Sequence, residues 1–549
     1  MSTSTSAEGK PGAAPELVNL TIDGKQVRVP KGTNLIEAAK SAGIDIPFYC
    51  YHPHLSIAGN CRMCQVRVKG APKLDIACNT AVREGMEVAT HHTSKEVDDA
   101  QAATLEFILI NHPLDCTVCD QAGHCKLQDY HFEYNARPSR FLEDKEHKVK
   151  AEPLGPTVML DGERCIMCTR CVRFCDEVTK TSELGMLNRG DRSVIAVNPG
   201  KELNNPLSGT VVDLCPVGAL THREWRFNTR IWFTKETESV CPGCSTGCNV
   251  KVAVRDQEVV QVKGRANSAV NKEWLCDEGR YGFMRFLPSD RITAPALSGK
   301  VASWELALKE VRRSFAEDTV VFLDPALLLE EYAWVKQLLE KAMPKRRVVV
   351  AYRERTLSPV EAILVSPDYA ANFRGAEFSG LVSGNLQAQY EEALQMVRSS
   401  GVRSVLLIGQ GAIPEKDIDA SLLAGLRNAP LSAGLLTDAK SELVGALKVV
   451  LPARSVLEKS GLLVNRNSRL QYAERVIDAP IGTEPEWKIL GRIAAECGVK
   501  LSAAPQLSQD RDLTLSYLST EARLAGLKIA TIKQGGIDLT GYAPGASAH

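Results

Sequence analysis

Polar and apolar positions alternate from Val18 to Ile22, pause at Asp23-Gly24 and resume through Val27 and Val29, which predicts a β-hairpin. Asn34 with Glu37 predicts a capping box opening a short helix that stops at Gly43. Helical spacing returns from Val97 to Ile110, and Val250–Val254 with Val259–Val262 alternate as a second hairpin. From about residue 300 the pattern changes. Strands at Thr319–Leu323, Arg347–Ala351, Arg403–Ile408 and Leu431–Leu436 alternate with helical stretches such as Asn385–Ser399 and Glu486–Gly498, as in an α/β unit with a largely parallel sheet. Every apolar run is strand-length; none approaches the ~20 residues that span a bilayer.

The chain of 549 residues has room for roughly three or four domains. Its apolar fraction of 44% is enough for ordinary cores. Lys plus Arg (66) balances Asp plus Glu (66), which removes the electrostatic case for nucleic acid or an anionic membrane surface. Residues 1–15 are rich in Ser, Thr, Ala, Gly and Pro, lack a secretory pattern and carry no arginine. They are expected to be a disordered tail on a cytosolic protein.

Of 17 cysteines, all but Cys497 lie between Cys50 and Cys276. A disulfide framework belongs to small secreted chains, so four sets of soft donors, each able to hold one iron–sulfur cluster, are the expected use. Cys50, Cys61, Cys64 and Cys78 form the first set, spaced Cys-x10-Cys-x2-Cys-x13-Cys. A zinc ribbon prefers two matched Cys-x-x-Cys knuckles, and one occurs here. The second set is His112 with Cys116, Cys119 and Cys125. Read alone, it suits zinc and a [4Fe–4S] cluster equally; the neighbouring sets tip it to iron. His124 is the nearby competitor for the imidazole role.

Cys165, Cys168 and Cys171 follow the bacterial ferredoxin run, in which a fourth cysteine normally comes three residues on with proline behind it. Cys175 has that gap but precedes Asp176, whereas Cys215 precedes Pro216. Cys215 is therefore expected to close the third set and Cys175 to be a buried bystander. Cys241, Cys244, Cys248 and Cys276 form the fourth set, with Gly243 and Gly247 letting the backbone wrap closely.

In this order the four sets resemble the ligand pattern of the large iron–sulfur subunit, 75 kDa type, of bacterial respiratory complex I (NADH:quinone oxidoreductase). The fourth is similar to the N-terminal cluster of molybdopterin-dependent formate dehydrogenases and nitrate reductases, and Arg291–Leu297, Ala302–Leu308, Leu451–Asn465 and Arg469–Gln471 resemble parts of a molybdopterin-enzyme domain. The resemblance implies a multidomain α+β and α/β chain. Residues 16–95 would be a β-grasp [2Fe–2S] ferredoxin domain, 96–135 a His/Cys [4Fe–4S] segment and 136–233 a ferredoxin-like [4Fe–4S] domain. Residues 234–290 would be a molybdopterin-oxidoreductase-type [4Fe–4S] domain, 291–540 a shortened molybdopterin-oxidoreductase-like α/β domain and 541–549 a tail.

The resemblance further implies an electron relay. Electrons would arrive from NADH through an FMN-bearing flavoprotein subunit, enter at the [2Fe–2S] centre, cross the third and second sets, and leave to a ferredoxin-like subunit of the peripheral arm, on the cytoplasmic side of the membrane. The fourth centre would stand aside in a structural role. No molybdopterin is expected, because about 270 residues follow Cys276 and the one cysteine among them, Cys497, reads as a buried structural thiol. The rival reading is the large subunit of an NAD-linked formate dehydrogenase. An iron-only hydrogenase would need further cysteines. Gly409-Gln410-Gly411 follows a strand, but Pro414 stands where a dinucleotide fingerprint wants its third glycine.

Overall fold

The computed structural model describes residues 16–134, 138–315, 318–343, 345–501 and 509–540, so the expected tails at 1–15 and 541–549 lie outside them. The chain divides into two compact units, Met1–Asn204 with Val211–Ile231 and Asn205–Thr210 with Trp232–His549.

The first unit begins with strands β1 (Leu17–Ile22) and β2 (Lys25–Pro30), antiparallel with Ile22 opposite Lys25. Asp23 (φ 48°) and Gly24 (φ 78°) are both left-handed, the turn that matches the strand twist. Val18, Leu20 and Ile22 face one core with Leu35, Ile36, Ala38 and Ala39 of the helix Leu35–Ser41. Asn34 caps that helix by accepting from the Glu37 amide at 3.0 Å. The expected box is only half made: the Glu37 carboxylate accepts instead from the Tyr51 hydroxyl at 3.0 Å, tying the helix to the residue after Cys50. Strands β3 (Gln65–Val68), β4 (Asp75–Ile76) and β5 (Met86–Ala89) complete a sheet of order β2-β1-β5-β3-β4, in which β1 and β5 run parallel. Helices Lys95–Leu109 and Lys126–Tyr134 follow. The rest of the unit is small: β6 (Glu152–Pro153), β7 (Val158–Leu160) and β10 (Leu220–His222) form one sheet, and β8 (Leu184–Leu187) pairs with β9 (Val194–Val197).

In the second unit β11 (Lys235–Val240), β12 (Asn249–Arg255) and β13 (Glu258–Gly264) form an antiparallel sheet, so the expected hairpin stands between the third and fourth cysteines of its set. Short strands β14 (Ala296–Leu297) and β15 (Lys300–Val301) edge a seven-stranded sheet. Its centre is β16 (Thr319–Leu323), β17 (Arg346–Val350), β18 (Ser404–Ile408), β19 (Leu431–Leu436) and β20 (Val449–Pro452). The order is β15-β14-β20-β19-β18-β16-β17, and β16 to β20 pair in parallel. Parallel strands covered on both faces must be apolar throughout. Val320, Phe322, Val405 and Leu407 accordingly point into one core, and Val321, Leu323, Leu406 and Ile408 into another. Strands β21 (Gly461–Val464), β22 (Arg469–Ala473) and β23 (Ile537–Asp538) make a last antiparallel sheet.

Candidate metal centres

The first set lies on loops around the ferredoxin-like sheet. Cys64 immediately precedes β3, Cys78 sits in a 3-10 turn after β4, and Arg62 (φ 55°) turns the chain between Cys61 and Cys64. Cys50, Cys64 and Cys78 are buried and Cys61 half-buried. The thiols are grouped in twos: Cys61 hydrogen-bonds Cys50, and Cys64 hydrogen-bonds Cys78. In each pair that bond favours ionisation of one sulfur (Cys50, Cys78) and, together with burial, disfavours it at the other (Cys61, Cys64). Two pairs of thiols are what a two-iron rhomb requires, two donors per iron.

His112 follows the helix Lys95–Leu109, its amide bonded to the Leu109 carbonyl at 3.1 Å. With Cys116, Cys119 and Cys125 it lines a cavity of about 880 Å³; His124 is not among the lining residues. Its Nδ1 is buried and has no hydrogen-bond partner among the described residues. Burial, with the ammonium of Lys145 and the guanidinium of Arg164 nearby, pushes the imidazole down to about 4. The ring is thus neutral at physiological pH, the form that ligates iron or zinc.

Cys165, Cys168, Cys171 and Cys215 share one cavity, lined also by Thr169, Arg170 and apolar residues that include Leu160, Ile166, Ile195, Val217 and Leu220. Met167 (φ 52°) and Thr169 (φ 58°) are left-handed, so the backbone coils tightly between the cysteines. Cys175 lies outside the cavity, fully buried in the wide helical turn Phe174–Val178. Burial pushes the Cys165 thiol up to about 11 and that of Cys215 up to about 12. Loading iron here must expel protons, so it is favoured by raising the pH.

These three sites adjoin one another within the first unit. The Arg173 Nη2 donates to the Cys50 carbonyl at 2.6 Å and to the Cys168 carbonyl at 3.3 Å, bridging the first and third sites. The Cys125 sulfur lies 4.0 Å from the carbonyl of Pro216, next to Cys215. A Cβ added at Gly218 would stand 2.2 Å from the Cys119 sulfur, so the loop that carries Cys215 also backs the second site. The cysteine pattern alone does not single out Arg170 and Arg173. The one signal is a charged residue beside the ligands, Arg170 inside the run Cys168-Thr169-Arg170-Cys171 and Arg173 two residues beyond it.

In the second unit Cys241 follows β11, Cys248 precedes β12, and Cys276 caps the short helix Asp277–Tyr281, its sulfur accepting from the Gly279 amide at 3.2 Å. A Cβ at Gly279 would stand 3.2 Å from the Cys276 sulfur and 3.3 Å from that of Cys241, so glycine keeps the space around the sulfurs clear. Burial raises the Cys248 thiol well above its usual range, and the sulfurs of Cys241, Cys244 and Cys276 add to the shift. Among the described residues no three His, Cys, Asp or Glu side chains group tightly enough to hold a single metal ion. A cluster spreads its four donors over two or four irons.

Elsewhere the expected features are quiet. Cys497 ends the helix Glu486–Glu496, half-buried against the larger sheet core. The Gly411 amide donates to the Asp324 carboxylate at 2.7 Å, and a Cβ at Gly409 would meet Asp324 at 2.4 Å. An internal carboxylate therefore takes the place a phosphate would need.

Comparison with known proteins matches the chain in order. Residues 16–93 match a 2Fe-2S iron-sulfur cluster binding domain, and residues 101–140 the NADH-ubiquinone oxidoreductase-G iron-sulfur binding region. Residues 155–221 match the ferredoxin-like domain of NADH-quinone oxidoreductase subunit 3, 234–286 the molybdopterin oxidoreductase Fe4S4 domain and 437–496 molybdopterin oxidoreductase. The mitochondrial NADH-ubiquinone oxidoreductase 78 kDa subunit of Neurospora crassa is 42% identical over 306 residues, 55% of this chain and 41% of that protein. The NADH-ubiquinone oxidoreductase 75 kDa subunit of Reclinomonas americana is 40% identical over 305 residues, 55% of this chain and 44% of that one. The NADH dehydrogenase [ubiquinone] iron-sulfur protein 1 of Solanum tuberosum, also mitochondrial, is 41% identical over 298 residues, 53% and 40%. The chain spans less than half the length of these curated relatives. Over about 55% of its length this chain is similar to the 75 kDa-type iron–sulfur subunits of NADH-quinone oxidoreductase, and it matches 2Fe-2S and 4Fe-4S binding domains in turn.

Proposed function

We propose that the chain is the electron-transfer subunit of an NADH:quinone oxidoreductase, relaying electrons from an FMN-bearing subunit toward quinone. Cys50, Cys61, Cys64 and Cys78 would hold one [2Fe–2S] cluster. His112, Cys116, Cys119 and Cys125 would hold a [4Fe–4S] cluster, as would Cys165, Cys168, Cys171 and Cys215, and Cys241, Cys244, Cys248 and Cys276. The observation that carries the reading is the adjacency of three sites in one unit, through Arg173 and through the Pro216–Gly218 loop. When bound, the clusters supply one-electron acceptor and donor chemistry. The chain's own part is to fix the spacing, exclude water with residues such as Leu160, Ile195 and Leu220, and set potentials through burial and the imidazole.

The partners would be the flavoprotein subunit, a ferredoxin-like subunit and other peripheral-arm subunits, on the cytoplasmic side of a membrane complex. Among the described residues no helix is long and apolar enough to cross a membrane. The fourth site would serve structure rather than transfer, and no molybdopterin would be bound. Anaerobically purified protein is expected to contain about fourteen irons per chain with matching acid-labile sulfide. Zinc without sulfide would sink the proposal, and stoichiometric molybdenum or tungsten would favour the formate dehydrogenase reading.

In His112→Cys a thiolate replaces a neutral ring. One added charge at about 4 Å is worth ~4 kcal/mol at an effective dielectric of 20, so the potential of that centre is expected to fall by more than ~59 mV, a tenfold loss of electron affinity. Redox titration followed by electron paramagnetic resonance reads the shift. An unmoved signal would remove the histidine from the ligand set.

A further inference from the structure

Between the first and third sites lies a cation that no carboxylate among the described residues neutralises. Arg170 is 7% exposed and opens the short helix Arg170–Arg173. Its Nη1 donates to the Leu214 carbonyl at 3.1 Å and its Nη2 to the Tyr51 carbonyl. Leu214 precedes Cys215 and Tyr51 follows Cys50, so one guanidinium spans the backbone of both sites. Its Nε is buried and finds no hydrogen-bond partner among the described residues. Phe48 lies against it, with the ring centre 6.0 Å away. Arg170 also lines the cavity that Cys165, Cys168, Cys171 and Cys215 share. Buried charges persist where they are paired, and an arginine does not escape by losing its proton.

We propose that Arg170 is the shared counter-ion of the first and third cluster sites, a positioning residue whose fixed charge raises the reduction potential of both. The inference rests on the cluster assignment above. A thiolate-bound cluster is anionic and becomes more so on reduction, so a cation held nearby favours its reduced form. Because the fork is clamped to carbonyls beside a ligand of each site, the charge cannot swing toward one alone. The clamp also braces the two loops against each other, alongside Arg173.

The test uses the full chain in its anaerobically purified complex, with the midpoints of both centres read by redox titration and electron paramagnetic resonance. Arg170→Gln keeps donors for the carbonyls and removes the charge; Arg170→Lys keeps the charge and loses the fork. In Arg170→Gln both midpoints are expected to fall, each by a tenfold loss of electron affinity, which is 59 mV for one electron. Arg170→Lys is expected to stay at the wild-type values. Unchanged midpoints in Arg170→Gln, or an equal fall in Arg170→Lys, overturn the proposal. If Arg170→Gln loses its clusters, their retention in Arg170→Lys supports the charge role and their loss in both overturns it. Absence of both signals from the wild-type complex would instead overturn the cluster assignment itself.

Discussion

Replacing Cys171 by serine is expected to abolish NADH-to-quinone electron flow in the assembled complex, with the loss of one [4Fe–4S] signal. The Cys171 thiol shares its cavity with Cys165, Cys168 and Cys215, and burial raises it well above the usual range. A serine hydroxyl is a harder donor and far more reluctant to ionise, so an iron there loses its ligand. The third site adjoins both the first and the second, so its loss breaks the proposed route in the middle. Cys215→Ser should behave like Cys171→Ser, while Cys175→Ser should keep the cluster, because Cys175 lies outside the cavity. Cys244→Ser, in the fourth set, is expected to lower the yield of complex and leave turnover per assembled complex near wild type. Equal loss of turnover in Cys171→Ser and Cys244→Ser would put the fourth centre on the path.

The largest expected effect on stability lies in the second unit. Lys459 is 2% exposed, and its Nζ bonds the carboxylates of Glu331 at 2.8 Å and Glu486 at 2.6 Å, both also buried. Glu331 further accepts from the Leu328 amide at 2.9 Å, and Glu486 opens the helix Glu486–Glu496. Lys459→Met would leave two buried carboxylates without a cation, a change that costs about 3–5 kcal/mol. Urea denaturation followed by tryptophan fluorescence checks it, since Trp487 packs edge-on against Trp334 at 5.9 Å. The sign of the pH dependence follows from burial, which pushes Glu486 up to about 8 even with Lys459 opposing. A carboxyl whose folded pKa exceeds its unfolded value of ~4.3 destabilises increasingly as pH rises through that window. Without Lys459 that carboxyl holds its proton to still higher pH, so the defect in Lys459→Met should be greatest above pH ~8 and diminish below it as Glu486 takes up a proton. Adding Glu331→Gln and Glu486→Gln should restore most of the loss. A change below ~1 kcal/mol above pH ~8 would show that the triad is not a closed ionic unit.

What the sequence determined by itself is whatever depends on near neighbours in the chain. The β1–β2 hairpin follows from alternation around Asp23-Gly24, because the turn and the side-chain period are local. The parallel strands β16, β18 and β19 follow from uniformly apolar runs, since a strand covered on both faces has no polar side to show. The close cysteine spacings supply donors that a short loop brings together whatever surrounds it. Tertiary structure decided the rest. That Cys215 stands with Cys165, Cys168 and Cys171, as the proline after it already suggested, is brought about by a loop more than forty residues downstream, and the wide turn at Phe174–Val178 carries the better-spaced Cys175 away from the cavity. The Glu37 carboxylate goes to the Tyr51 hydroxyl, a partner that exists only after folding. Asp324 takes the Gly411 amide for the same reason. The order of the sites in space, first beside third and third beside second, differs from their order in the chain. It is set by Arg170, Arg173 and the Pro216–Gly218 loop, which join residues far apart in sequence through hydrogen bonds and close packing. Local periodicity specifies elements and donor sets, whereas a contact between distant segments exists only once the cores that carry them have packed.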